Sequence, residues 1–307
     1  MKSRFISMAV IAGILFLLAG AGFCEEKIGV SDWVEKVSQG TINWTGGYIE
    51  AVGIGAPPEK LIGKPNARPM CLGAAKVVAQ RNLLEIIQGV QVDSASSVKD
   101  FTMESDIVNT QVKGLVIGAQ EVHKEYMSDG TCEVTLRMPI YGNFSKMIIP
   151  LAMAKPPAAP APSAPEVPVV TAPEVPAPAA PAPVVTAPVA PPPPIAYTGM
   201  VIDARGIQAR PAMSPRIFDE DGKEVYGSAN VDREYAIQQG MSGYARDLTA
   251  AQSNQRVTAS PITVKALRTN GPGKSDIIIS NSDAQQIRVS VENLTFMKKC
   301  RVMIVLD

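Results

Sequence analysis

The sequence holds a single histidine, His123, among 307 residues. A multi-histidine metal site is therefore excluded. Its four cysteines, Cys24, Cys71, Cys132 and Cys300, form no CxxC pair, so no zinc-type spacing exists. Basic and acidic residues cancel, 29 against 29, and no long block of one sign interrupts the chain. That balance argues against nucleic acid as a partner, because phosphate neutralisation needs a basic footprint. Ser94, Ser96 and Ser97 lack the G-x-S-x-G setting of an activated serine. Gly53-x-Gly55 lacks the third glycine and the immediate helix of a dinucleotide fingerprint. The residues thus offer no catalytic, cofactor-binding or metal-binding set, and the expectation is a protein that is not an enzyme and takes no cofactor.

Proline is what the chain has in excess, and most of it lies in one place. Residues 155–194 are almost entirely Pro, Ala, Val, Thr and Ser. Proline fixes φ, lacks an N–H, and pushes the residue before it towards extended conformations. The expectation is a semi-rigid polyproline II strut, up to roughly 120 Å long at the rise of that helix. Four segments follow: a signal peptide at 1–24, a first body at 25–150, the Pro/Ala/Val-rich linker at 151–194 and a second body at 195–307. A strut of this kind predicts two bodies that hardly touch.

The leader has Lys2 and Arg4 ahead of an apolar run from Met8 to Ala21, too short for a comfortable membrane span. Gly22-Phe23-Cys24 before Glu25-Glu26 predicts cleavage after Cys24. Lipidation of Cys24 is the rival, weakened by the bulky Phe23, and an uncleaved anchor is the third outcome. All three place the body outside the cytoplasm. Cys132 alternates with Val134, Leu136 and Met138, and Cys300 with Val302, Ile304 and Leu306. Such spacing favours core cysteines on apolar strand faces. A Cys71–Cys132 disulfide is the alternative, which spacing does not decide.

In the first body, Asp32–Val37 reads as a short helix or lead-in, and 44–55 as a strand. Arg68–Gln88 is the clearest helix, with Leu72, Ala75, Ala79, Leu83 and Ile86 at helical spacing. Ser105-Asp106 caps a second helix. Strands over 116–126 and 131–140 meet at the hairpin signal Asp129-Gly130. His123 falls on the first of these, beside Lys124 and Glu125, as a solvated strand residue. In the second body Asp219-Glu220-Asp221-Gly222 is a solvated acidic hairpin tip without the spacing of a calcium loop. Asp203-Ala204-Arg205-Gly206 is a salt-bridged strand end as easily as a site. Ser282-Asp283 caps a helix, and 301–306 is an apolar strand inside a sheet. The fold class is α+β: two α+β domains, each an antiparallel sheet with a packed helix.

Trp44, Gly47 and the Ile49-Glu50-Ala51-Val52-Gly53-x-Gly55 run come first, followed by the Ala-rich helix ending Leu83-Leu84-Glu85-Ile86-Ile87-Gln88-Gly89. Ser105-Asp106, Gly118-Ala119 and the hairpin ending Val134–Ile140 complete an ordered set. Residues 44–141 thereby resemble the small Lpp-type lipoproteins of the bacterial outer membrane, related to the flagellar protein FlgP and the N-terminal domain of FlgT. The resemblance implies a periplasmic, outer-membrane-associated location and a structural or assembly role, with flagellar motor ring assembly as its most specific form. Implied partners are envelope or flagellar motor proteins, further copies of the chain in a ring, and peptidoglycan. Two alternatives stand beside it: a periplasmic binding module for peptidoglycan or another envelope polymer, and an unrecognised carboxylate hydrolase.

Overall fold

In the computed structural model, Gly29 and residues 31–154, 197–289 and 291–307 are described. The expected signal peptide and nearly all of the proline-rich linker lie outside the described residues. The fold is α+β. The N-terminal half runs β1 (Val34–Val37), β2 (Gly40–Asn43), β3 (Tyr48–Gly55), α1 (Ala67–Gly89), α2 (Val98–Glu104), α3 (Asp106–Ile117), β4 (Gln120–Tyr126), β5 (Cys132–Pro139) and α4 (Asn143–Ala154). Its sheet is antiparallel, in the order β1-β2-β3-β5-β4.

Helix α1 lies across the inner face of β3 and β5. Ile49 and Ala51 point inward, while Glu50 and Val52 are only half-buried. The glycines of β3 let the helix come close. A Cβ on Gly53 would stand 2.2 Å from the Ala79 amide nitrogen and 2.3 Å from the Ala75 carbonyl oxygen. Gly53-x-Gly55 is therefore a helix-packing device. On the outer face Glu50 and Arg137 are register partners, with their charged atoms 2.8 Å apart.

Several expectations change here. Asp32–Val37 is not helical: Val34–Val37 is an edge strand paired with β2. α4 continues to Ala154 with Pro150 inside it, so the first half does not end at residue 150. Cys71 and Cys132 are joined in a disulfide, with Cα atoms 5.8 Å apart. The apolar alternation around Cys132 holds, since β5 buries Cys132, Val134, Leu136 and Met138. The same alternation, however, brings Cys132 under the start of α1, where Cys71 meets it. Cys300 is free and buried, but it sits at positive φ just before a strand and not within it.

The C-terminal half runs β6 (Gly199–Asp203), β7 (Ile217–Phe218), β8 (Glu224–Tyr226), α5 (Arg233–Gln239), β9 (Gly243–Ala245), α6 (Leu248–Gln252), β10 (Pro261–Asn270), β11 (Asp276–Ile279), α7 (Asn281–Val289), α8 (Val291–Lys298) and β12 (Val302–Val305). Its seven strands lie in the order β8-β7-β11-β10-β6-β12-β9. This sheet is mixed, not antiparallel: β6 pairs in parallel with β10 and β12, β12 with β9, and β7 with β11. Both faces of the centre are covered. Met200 and Ile202 of β6 join the main core, while Val201 joins a smaller cluster with Ala251, Val257 and Met303. That double burial explains the unbroken apolar runs of β6, β11 and β12.

The two halves pack together. Residues 31–307 form one compact unit, and one apolar cluster runs from Ile42 in the first sheet to Leu306 beyond the last strand. Trp44 meets Tyr244 edge-on, with centroids 5.6 Å apart, a favoured aromatic geometry. Tyr141 reaches across to Gly240, which has φ 79°; a Cβ there would lie 2.4 Å from the tyrosine ring. The expectation of two bodies that hardly touch is thus overturned, and with it a strut that carries one far from the other. No helix among the described residues is long and apolar enough to cross a membrane.

Candidate functional site

Two charged constellations arise where the strands of the second sheet begin and end. The first is built by register. β7 and β11 run parallel with Ile277 opposite Ile217, so Arg216, just before β7, and Asp276, the first residue of β11, also become neighbours. Both are buried, and an Arg216 guanidinium nitrogen lies 2.8 Å from Asp276 Oδ2. Ser94 from the other half donates its hydroxyl to the same oxygen at 2.6 Å. Burial pushes the Asp276 carboxyl upward even so, against the pull of Ser94 and Arg216. Glu224 is also pushed up by burial, opposed by Arg216. Arg216 Nε and Asp276 Oδ1 have no hydrogen-bond partner.

The loop bearing Ser94 is held by the backbone of the second half. Met213 and Ser214 donate their amides to Gln91 and Val92, at 3.1 and 2.7 Å, and Gly273 donates to Ser94 at 2.7 Å. Ser94 and Ser96 are buried, while Ser97 caps α2 in a reciprocal box with Asp100. The Ser94 hydroxyl is bonded to Asp276 and Arg216, and that of Ser97 to Asp100. A serine bonded to a carboxylate that is itself paired with an arginine is suited to holding two surfaces together. Deprotonation of the hydroxyl would add a second anion beside Asp276.

The second constellation lies at the carboxyl ends of β6 and β12, beside the middle of β10; open parallel sheets commonly bind ligands at strand carboxyl ends. Asp203 receives both Arg205 Nε at 2.8 Å and Arg205 Nη2 at 3.0 Å. Its register partner Lys265 stands 3.3 Å away. The Arg205 hydrogen bond, backed by Lys265, holds the Asp203 carboxyl down at about 2 despite partial burial. Asp203-Ala204-Arg205-Gly206 is a salt-bridged strand end, the plainer of its two readings. Close by, the Trp33 indole donates to the Asp307 carbonyl at 3.1 Å, and Arg210 pairs with Glu35 at 3.0 Å. This edge too joins the halves.

The remaining candidates separate. His123 is exposed on β4, 3.5 Å from Glu125. The acidic tip is not uniformly solvated. Asp219 is buried and accepts from Arg288 at 2.7 Å and from the Lys223 amide. Burial raises its carboxyl, yet the Arg288 and Lys223 hydrogen bonds outweigh that and hold it below the usual range. Glu220 instead accepts from the Asn281 amide at the start of α7. The cap of that helix is Ser280, bonded to both the Asp283 amide and its carboxylate, so the cap lies two residues before the expected Ser282. Cys300 is pushed up to about 11 by burial, opposed by the Tyr226 hydroxyl. Among the described residues, no three or more His, Cys, Asp or Glu side chains are grouped to hold a metal ion.

The roles of Arg216 and Asp276 were missed by sequence reasoning. A local signal existed: each charge directly precedes an apolar strand, Ile217-Phe218 or Ile277-Ile278-Ile279. Only the parallel register turns that signal into a pair. No curated protein matches the chain. Residues 199–307, from the first residue of β6 to the last of the chain, are similar to the family described as Treponema pallidum Tp0624, second domain.

Proposed function

We propose that this chain is a non-catalytic cell-envelope protein with a structural or assembly role at the outer membrane, most specifically in a flagellar motor ring. The observation that carries the envelope part is the Cys71–Cys132 disulfide in a chain that opens with a leader-like segment. Disulfides persist in oxidising compartments and are rare in the cytosol. The structural part is supported by how the polar side chains are used. Ser94, Arg216 and Asp276 hold one half to the other, and Asp203 is taken up by Arg205 and Lys265. The flagellar part rests on the resemblance of residues 44–141 alone.

Fractionation and a deletion strain test this reading in layers. The protein is expected in the periplasmic or outer-membrane fraction, with its two disulfide cysteines blocked to alkylation until reduced. Loss of the gene is expected to disturb motor assembly or swimming. An intact motor with normal motility removes the flagellar part. A cytoplasmic protein with free Cys71 and Cys132 removes the envelope part. Hydrolysis of wall or glycan substrates by the purified chain, lost on changing one Asp or Glu, would overturn the non-catalytic reading.

A further inference from the structure

The chain contains one Asn-Gly step, Asn270-Gly271. Every other asparagine precedes a residue that carries a Cβ, from Ala67 after Asn66 to Trp44 after Asn43. The difference is chemical. The side-chain carbonyl of an asparagine and the amide nitrogen of the next residue can close a five-membered imide. A Cβ on that next residue obstructs the approach, and glycine has none.

The fold leaves this step free to react. Asn270 is the last residue of β10, and Gly271 lies just outside the ladder, exposed, in the turn that leads to β11. Among the described residues the Gly271 amide donates no hydrogen bond; the turn is closed by its carbonyl, which accepts from the Lys274 amide at 3.2 Å. The Asn270 side chain is half-buried, so water reaches it, and it has no hydrogen-bond partner among the described residues. Other asparagines are held: Asn43 donates to Tyr48 and Asn82 to the Val52 carbonyl, while Asn254 and Asn281 accept from the Arg256 and Glu220 amides.

The same turn grips the junction between the halves. The Gly273 amide donates to the Ser94 carbonyl at 2.7 Å, and a Cβ on Gly271 would stand 2.7 Å from the Ser94 Cβ. Asn270 is the register partner of Asp276, the acid that binds the Ser94 hydroxyl.

We propose that Asn270 is a self-modification site, at which the Gly271 amide nitrogen attacks the side-chain carbonyl and the product loosens the junction at Ser94. The new bond joins Gly271 N to Asn270 Cγ. The bond from Cγ to the side-chain nitrogen breaks, and that nitrogen leaves as ammonia with the proton of the Gly271 amide. Water then opens the imide at either carbonyl, giving aspartate or isoaspartate, with no oxidant or reductant involved. Isoaspartate routes the main chain through one more carbon beside the turn that holds Ser94. Either product places a carboxylate opposite Asp276, and like charges directly opposite across a ladder destabilise it. The site does not depend on the envelope or flagellar assignment.

Ageing the purified chain in mildly alkaline buffer tests this, read by tryptic digestion and mass spectrometry. Cleavage after Arg268 and Lys274 releases residues 269–274. That peptide is expected to gain the mass difference between OH and NH2, and to split into an aspartate and an isoaspartate form. In heavy-oxygen water the new carboxyl group should carry the label. Peptides holding the other asparagines should stay unchanged, and Asn270→Gln, which needs a larger ring, should remain unmodified. The aged parent should unfold at a lower denaturant midpoint than the fresh parent, while Asn270→Gln keeps its own midpoint on ageing. Asn270→Asp, which carries the carboxylate from the outset, should lie below the fresh parent too. An unchanged 269–274 peptide in the aged parent overturns the site. Equal conversion at the other asparagines overturns the role of Gly271. A fully converted chain that unfolds as the fresh parent does overturns the loosening.

Discussion

Arg216 and Asp276 form a buried pair with an atom of each left without a hydrogen bond. Removing one partner is costly because it strands the other charge. Arg216→Ala is expected to lower unfolding free energy by about 3–5 kcal/mol. Replacing both, as Arg216→Met with Asp276→Leu, should recover most of that loss or exceed the parent. Denaturant unfolding measures both, and equal losses in the single and double variants would refute the pairing. Asp203 makes a different forecast, for pH. Its carboxyl lies at about 2 in the fold against 3.8 for the ordinary group. A depressed acid stabilises above its unfolded pKa and loses that contribution as pH falls towards its folded one. Stability should therefore drop between about pH 5 and pH 2, and Asp203→Asn should flatten that slope. An unchanged slope in the variant would show that Arg205 and Lys265 do not hold the carboxylate. The Asp203–Arg205 bridge is readable locally, two residues apart, whereas the pairing of Arg216 with Asp276 is not. Ser94 finds Asp276 across 182 positions, and nothing near Ser94 in the chain announces a partner so distant.

At the scale of elements, periodicity revealed what is amphipathic and local. α1, the β4–β5 hairpin and the Ser105 cap of α3 follow from apolar spacing, turn residues and a capping hydroxyl. The Ser105 side chain does accept from the Val108 amide. Less legible was β1, whose four residues Val34-Glu35-Lys36-Val37 fit a helix turn as well as an edge strand. Parallel pairing in the second sheet was illegible for another reason. β10 alternates buried and exposed residues over Ile262–Leu267, as an antiparallel strand would, and direction is set by connections that periodicity does not encode. Two forecasts belong here. Gly53→Ala should cost about 1–3 kcal/mol, because the new methyl meets helix backbone that cannot rotate away. Chemical denaturation measures it, and a neutral result would mean that α1 can lift from β3. The disulfide spans a separation of 61 residues. Reducing it should remove about 2–4 kcal/mol, chiefly by freeing the unfolded chain. Unfolding with and without reductant gives that difference, and an identical midpoint would contradict it.

At the scale of the molecule, the proline run misled by its position. A segment that cannot join a helix or a central sheet suggests two separated bodies. Composition describes such a segment, not the distance between its ends. The halves meet through side chains scattered over the whole sequence: Trp33, Glu35, Trp44, Ser94 and Tyr141 on one side, and Arg210, Arg216, Tyr244, Asp276 and Asp307 on the other. None of these announces its partner locally. An interface with a shared apolar core and buried polar pairs should unfold with both halves as one cooperative event. The most direct test is to place a protease site within residues 155–196, cut the purified protein there and run it on a sizing column without denaturant. The two fragments are expected to elute together at the volume of the intact chain. They should part only when denaturant unfolds both. Separation into two folded fragments in native buffer would contradict the account, because the halves would then be independent bodies joined only by the chain between them.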